Sequence, residues 1–351
     1  MTVSGTTSTT VFDTNKVVDH AYRRCRLPPQ AITAEMQDVA RDALYLLMSD
    51  LVNRGLPLWT VEKTILPFTY AVSYVDTPVG TVDLLNTNIR TMQRIEGSYS
   101  SSSGVADNAF DGDMLTSCTQ ATPNGSITLA GQSQMAVTTY GIATTATGTY
   151  DFVVETSTDG ITWMTALAPG PLVYDARVFR WFDVEGALPV SFYRLRAING
   201  TTLNVAEFYP GFNPTEIPLA RLNQDDYVNF PNKTFQGRPQ QFWLDRQREV
   251  PVIRLWPVPG YAQQFNQIVT WRRRYLMDVG RLTQTLDIPQ RWYEGLVAML
   301  AYRLALETPQ VEAGMIGTLK GLADEALATC FFEERDSSPM KIAPNLRPYT
   351  R

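Results

Sequence analysis

Residues able to do chemistry are sparse and scattered in this chain. His20 is the only histidine, so a Ser-His-Asp relay has one imidazole to build on and nothing nearby in sequence to select its partners. A glycosidase acid and base would have to be drawn from 35 carboxylates, and the adjacent Glu333 and Glu334 near Asp336 read as a solvated helix end. The sequence has no Gly-x-x-x-x-Gly-Lys-Ser/Thr loop, Gly-x-Ser-x-Gly elbow, His-Glu-x-x-His or strand-linked Gly-x-Gly-x-x-Gly. No enzyme activity and no cofactor are expected. Cys25, Cys118 and Cys330 are odd in number and far apart; they suit synthesis in a reducing cytosol rather than a disulfide framework or a metal set. Arg272, Arg273 and Arg274 lie in a strand pattern whose alternation sends Arg273 to the opposite face. Near-neutral surroundings favour another subunit's acids over a nucleic-acid backbone as the partner of Arg272 and Arg274. Trp243, Trp256 and Trp292 read as core or interface anchors.

The elements that must position these groups fall into segments of different character. The 351 residues carry 30 basic and 35 acidic groups, 44% hydrophobic residues and 19% charged ones, enough for two or three globular domains. Residues 96–210 hold four basic and eleven acidic groups, so the whole negative excess lies there. The longest apolar runs are far shorter than the roughly 20 residues of a membrane span, and the first ten residues have no secretory pattern. The expectation is a protein with no membrane partner.

Apolar positions from Ile32 to Val52 recur every three or four residues and predict a helix, with Thr33 as N-cap, Gly55 as C′ and Pro57 beyond. Thr60–Leu66 and Phe68–Val75 predict strands, and Val82–Ile89 a short helix. Gly97–Gly104 has a flexible-linker composition. From there to Tyr209, short alternating runs such as Tyr150–Thr156 and Phe192–Ala197 are separated by turn signals and predict a β-sandwich. Phe242–Arg246, Val252–Trp256 and Ile268–Tyr275 predict strands. Pro289–Leu306 and Val311–Glu333 predict a helical hairpin. Asp336–Arg351, with Pro339, Pro344 and Pro348, predicts an extended arm.

The outer segments resemble the head-to-tail adaptor (connector) proteins of tailed bacteriophages, of the tail accessory or packaged-DNA-stabilising type. The likeness is carried by Arg54-Gly55-Leu56-Pro57-Leu58-Trp59, Tyr227 to Gly237 with Arg238-Pro239, and Leu255-Trp256-Pro257-Val258-Pro259. It continues through Leu286-Asp287-Ile288-Pro289-Gln290-Arg291-Trp292 and Leu300-Ala301-Tyr302-Arg303-Leu304-Ala305. The resemblance implies a homo-oligomeric ring, a dodecamer, between a portal protein and a tail or nozzle protein with its fibres, in a virion assembled in the host bacterial cytoplasm. DNA would pass through without sequence-specific binding. Contacts with a neighbouring subunit or the portal would fall to Arg272, Arg274, Pro339, Pro344, Tyr349 and Arg351.

The inserted segment resembles the discoidin-type, galactose-binding-like jelly roll. The residues are Ala109-Phe110-Asp111-Gly112-Asp113 with Thr116, Val154 to Trp163, Phe192-Tyr193-Arg194-Leu195-Arg196 and Val205-Ala206-Glu207-Phe208. That likeness implies a structural calcium held by Asp111, Thr116 and Glu207 with Asp113 as an extra donor, hard oxygen ligands of the right kind. Trp163 is expected to pack, and Tyr99 and Tyr140 are the loop aromatics offered to a sugar.

The fold class expected is therefore α+β: a helical-bundle adaptor domain with a small β part, residues 1–95 and 211–335, interrupted by an all-β jelly-roll sandwich at 96–210, with an arm at 336–351. The function expected is a structural virion protein at the head-tail interface. The alternatives are a carbohydrate-binding receptor protein of the tail and, on unplaced carboxylates alone, a cell-wall hydrolase.

Overall fold

The computed structural model describes residues 12–54 and 58–334. Among them are five helices: α1 (Thr14–Arg24), α2 (Ala34–Asn53), α3 (Gln224–Val228), α4 (Tyr293–Glu307) and α5 (Ala313–Glu333). The first ten strands are β1 (Val61–Pro67), β2 (Tyr74–Asp76), β3 (Thr81–Arg94), β4 (Gly97–Ser101), β5 (Cys118–Pro123), β6 (Ser126–Met135), β7 (Thr139–Thr144), β8 (Gly148–Ser157), β9 (Met164–Leu167) and β10 (Pro171–Tyr174). Then come β11 (Arg180–Asp183), β12 (Val190–Ala197), β13 (Thr202–Pro218), β14 (Ala220–Leu222), β15 (Gln236–Gly237), β16 (Gln241–Asp245), β17 (Val252–Trp256), β18 (Val258–Pro259) and β19 (Gln267–Arg274). The chain divides into two compact units, Met1–Val61 with Tyr275–Arg351, and Glu62–Arg274.

In the first unit α4 is the central helix, in contact with α1, α2 and α5. It is apolar nearly all round, as a helix enclosed by others must be: Leu296, Leu300, Ala301 and Leu304 are all fully buried. Thr33 caps α2 by accepting the Met36 N–H at 3.3 Å, and Asp13 caps α1 by accepting that of Lys16 at 2.9 Å. Gly55 and Pro57 lie outside the described residues. The predicted start at Pro289 resolves into a 3₁₀ turn, Gln290–Trp292, leading into α4. A Cβ on Gly295 would stand 2.6 Å from the Cys330 sulfur, so glycine sets the close approach of α4 and α5. Glu334, just past α5, accepts from Trp292 Nε1 at 3.0 Å and from the Arg291 guanidinium.

The second unit is built on one sheet whose strands run β1-β19-β3-β13-β7-β11, with β5 also on β13. Strand β13 is long enough to serve two layers. Its first half pairs with β5 and β7, and its second half, from Gly211 opposite Arg94, pairs with β3. A register shift between Phe212 and Thr215 marks the changeover.

The first half faces a six-stranded sheet, β10-β8-β12-β6-β4 with β9 on β8. Between them lies a core of Ile127, Leu129, Ile142, Phe152, Val154, Leu195, Val205 and Phe208. That is the predicted sandwich. The β1-β19-β3 part of the main sheet faces the sheet β14-β16-β17-β2 across Leu66, Leu84, Ile89, Phe242, Ile253, Leu255 and Ile268, while the second half of β13 is largely exposed.

Four expectations are corrected. Gly97–Ser101 is strand β4, paired with β6, and not a linker; its small residues permit contact so close that a Cβ on Gly97 would be 2.0 Å from the Ala130 oxygen. Val82–Ile89 belongs to β3 and not to a helix, because β19 pairs along it and β13 joins from the other side at Asn88 and Ile89. The β part outside 96–210 is not small: β1, β2, β3 and β14 to β19 lie outside it, and β13 runs on through residue 211. Of Phe68–Val75, only Tyr74 and Val75 are in a strand.

Candidate functional site

Glu207 sits in the middle of β13 with a fully buried side chain. One carboxylate oxygen accepts from Arg94 Nη2 at 2.8 Å and the other from the backbone N–H of Gly112. Gly112 has φ +81°, a conformation glycine adopts freely, and this turns its N–H toward the carboxylate. Beside it, Asp111 accepts the Asp113 N–H at 2.8 Å and the Thr116 hydroxyl at 2.7 Å, one on each oxygen. Asp113 accepts the Leu115 N–H and the Tyr261 hydroxyl, each at 2.9 Å. Asp111, Asp113, Thr116 and Glu207 are thus gathered at one corner, as the jelly-roll likeness implies.

These residues do not fit a calcium ion. Both oxygens of Asp111 and of Glu207 are engaged, and a guanidinium already faces Glu207. Among the described residues no group of three or more His, Cys, Asp or Glu side chains is arranged to hold a metal. Burial pushes the Glu207 carboxyl up to about 7, against the pull of Arg94 and the Gly112 N–H and with a further push from Asp111.

Four residues along β3, Arg90 is the hub of a second charge cluster. Its guanidinium reaches both oxygens of Asp183 on β11, at 2.9 and 3.0 Å, and Glu216 on β13 at 2.7 Å. Lys63 on β1 also reaches Asp183, at 2.6 Å. Burial alone would raise the Asp183 carboxyl, but hydrogen bonds from Lys63 and Arg90 hold it below the ordinary carboxylate range.

Next to this cluster, a cavity of about 340 Å³ lies between β1 and the β10–β11 segment. Its walls include Pro67, Tyr174, Phe179, Trp181 and Phe182, with Asp175 and Arg180 as the charged members. The Arg180 guanidinium lies 5.7 Å from the centre of the Tyr174 ring. Tyr174 Oη and Trp181 Nε1 are buried donors with no hydrogen-bond partner among the described residues.

Arg272 and Arg274, expected to meet another subunit's acids, both meet Glu62 of their own chain. Arg272 is buried and also donates to the carbonyls of Pro78 and Val79 and to the Thr81 hydroxyl. It ties β1 and β19 to the start of β3. Pro339, Pro344, Tyr349 and Arg351 lie outside the described residues. His20 stacks on Phe12 at 5.6 Å.

Tyr140 is buried and Tyr99 stacks on Phe110 at 4.4 Å, so both pack in the sandwich rather than standing open to a sugar. Trp163 packs under the Arg194 guanidinium at 3.9 Å. Trp243 lies 5.3 Å from Tyr227, Trp256 lies 4.1 Å from Phe230, and Trp292 is fully buried.

The residues the sequence reading passed over are Arg90, Arg94, Asp183 and the walls of the cavity. A four-residue spacing on a strand places Arg90 and Arg94 on one face. Reading Val82–Ile89 as helix hid that relation.

No protein-family model and no curated protein matches this chain. Similar solved structures are carbohydrate-binding modules that align over about a third of it. The family 32 module of AlyQ in complex with 4,5-unsaturated mannuronic acid is 14% identical, covering 33% of this chain and 96% of its own, with a TM-score of 0.30. A family 32 module from a family 31 glycoside hydrolase of Clostridium perfringens is 14% identical, covering 34% and 99%, with a TM-score of 0.31. The family 62 module of Clostridium thermocellum Xyl5A is 16% identical, covering 35% and 98%, with a TM-score of 0.31.

Proposed function

We propose that this chain is a non-enzymatic recognition and assembly protein whose β-sandwich binds a carbohydrate. The observation that carries this reading is the cavity between β1 and the β10–β11 segment, where the exposed Asp175 and the half-buried Arg180 and Phe182 stand over a floor of buried aromatic side chains. A pyranose ring has an apolar face that lies on aromatic carbon and hydroxyls that pair with a guanidinium and a carboxylate. At about 340 Å³ the space suits one or two such rings.

The test uses the full chain, with tryptophan fluorescence and a glycan array as readouts. Binding that is lost in Arg180→Ala and Asp175→Asn, with unfolding unchanged, supports the reading. An array with no binder, together with fluorescence unmoved by millimolar sugars, would sink it.

A second reading places the same protein in a tailed-phage virion as a head-to-tail adaptor ring at the portal vertex. Its support lies in the helical unit, where Leu46, Leu306, Leu322 and Phe332 are exposed. A groove of about 480 Å³ between α4 and α5 is lined by Met315, Leu319 and Leu322, with Glu294 and Glu325 at hand. Apolar side chains on a helical surface are what a neighbouring subunit or portal protein would cover. Light scattering on the protein alone and mixed with a portal ring decides this: twelve copies per portal supports it, and no association removes it.

A further inference from the structure

Arg94 is the last residue of β3, so it precedes the sandwich segment in sequence, yet its guanidinium serves that segment. It donates to Glu207 at 2.8 Å and lies 5.5 Å from the ring centre of Tyr209 and 6.0 Å from that of Phe110. A Cβ added to Gly112 would stand 3.8 Å from its Nη1, so the guanidinium fills the space beside the Asp111-Gly112 turn. A fully buried carboxylate with no compensating positive charge is among the more costly features a fold can carry. Two kinds of cation can compensate it at such a corner: a bound metal ion or a tethered side chain.

We propose that Arg94 is a built-in cation that stands where a metal ion would otherwise balance Glu207, and that it makes the folded protein indifferent to calcium. The guanidinium brings directional N–H donors and needs no shell of oxygen ligands. Calcium takes six to eight oxygens, and the guanidinium occupies a Glu207 oxygen that such a shell would need. The positive charge of Arg94 also repels a second cation from the same spot. This inference is independent of whether the cavity binds a sugar.

The test is thermal unfolding of the full chain at pH 8, in EDTA and in millimolar calcium chloride. Wild type is expected to unfold at the same midpoint in both. Arg94→Gln is expected to unfold roughly 5–10 °C lower in EDTA and to regain part of that loss with calcium. Arg94→Lys, which keeps the charge, is expected to stay calcium-indifferent. In Arg94→Gln with Glu207→Gln, the buried charge is gone and so is the calcium response.

A calcium-dependent midpoint in wild type overturns the proposal, as does an Arg94→Gln protein that ignores calcium. Should Arg94→Gln be too unstable to purify in EDTA, soluble yield decides. Recovery only from calcium-containing buffer supports the proposal, and no recovery in either buffer overturns it.

Discussion

Lys63 and Asp183 stand 2.6 Å apart although they belong to the first and last strands of the path β1-β19-β3-β13-β7-β11. The sheet therefore curls until its two ends face each other, and the gap between them is the cavity proposed for a sugar. Arg90 stands beneath that closure with its side chain almost wholly buried. Replacing Asp183 by Asn removes the charge that Lys63 and Arg90 share and leaves Arg90 with Glu216 as its carboxylate partner and Gln267 as a neutral one. The expected loss of stability is about 2–3 kcal/mol in chemical denaturation, less than for a buried cation stripped of every partner. A loss below about 0.5 kcal/mol would mean the knot is no more than a surface pair.

Two groups of carboxylates give opposite pH dependences. Glu207 holds its proton up to about 7 when folded, against an ordinary value of 4.5, so the folded state carries the extra proton between those values. Its contribution is complete below 4.5 and is lost as pH rises through about 7. Asp183 and Glu216 have folded values below their ordinary ones. Burial opposes the shift, but hydrogen bonds overcome it: Lys63 and Arg90 act on Asp183, and Asn88 and Arg90 on Glu216. Their contribution is full above the ordinary carboxylate range and is lost as pH falls through the lower folded values. Denaturation midpoints across pH 3 to 8 should therefore decline on both sides, and Glu207→Gln should flatten the neutral side alone.

Gly141 lies on β7 under the Trp181 ring, and a Cβ there would come within 2.3 Å of Trp181 Cζ3. A rigid, buried ring has no cheap way to yield. Gly141→Ala is expected to cost about 2 kcal/mol or more and to displace Trp181 from the cavity wall. A shift in tryptophan emission accompanying the lower stability checks both parts at once.

All three cysteines are free and buried. Burial pushes the Cys25 thiol up to about 11, and raises those of Cys118 and Cys330 as well. Thiolate is the reactive form, so native protein should react slowly with a disulfide reagent at pH 8 and release three equivalents only on unfolding. Rapid labelling of the folded chain would contradict this burial.

How much of this was legible in sequence depended on whether the signal was local. The helix from Ala34 to Asn53 announces itself through Thr33 and a regular apolar stripe, and Val252–Trp256 through its β-branched and aromatic residues. Thr14–Arg24 carries a similar stripe in Val17, Val18, Ala21 and Tyr22, but it is short and was passed over. Gly97–Ser101 misled because glycine and serine spell flexibility when read alone, whereas against β6 they spell close contact. The Asp111 corner was legible through the jelly-roll likeness, and its cation was not, since Arg94 precedes that segment. Arg90 and Asp183 are 93 residues apart and share no local pattern.

Strand β13 also dictates an order of events during synthesis. Strand β3 emerges early, yet its two neighbours in the sheet are β13 and β19, which leave the ribosome more than a hundred residues later. Until then its edges have no intended partner, and a strand in that state is exposed to mispairing and capture by chaperones. Such long-range closures make folding slow. Completion of the sandwich and the pairing of β3 both wait for the same strand, β13.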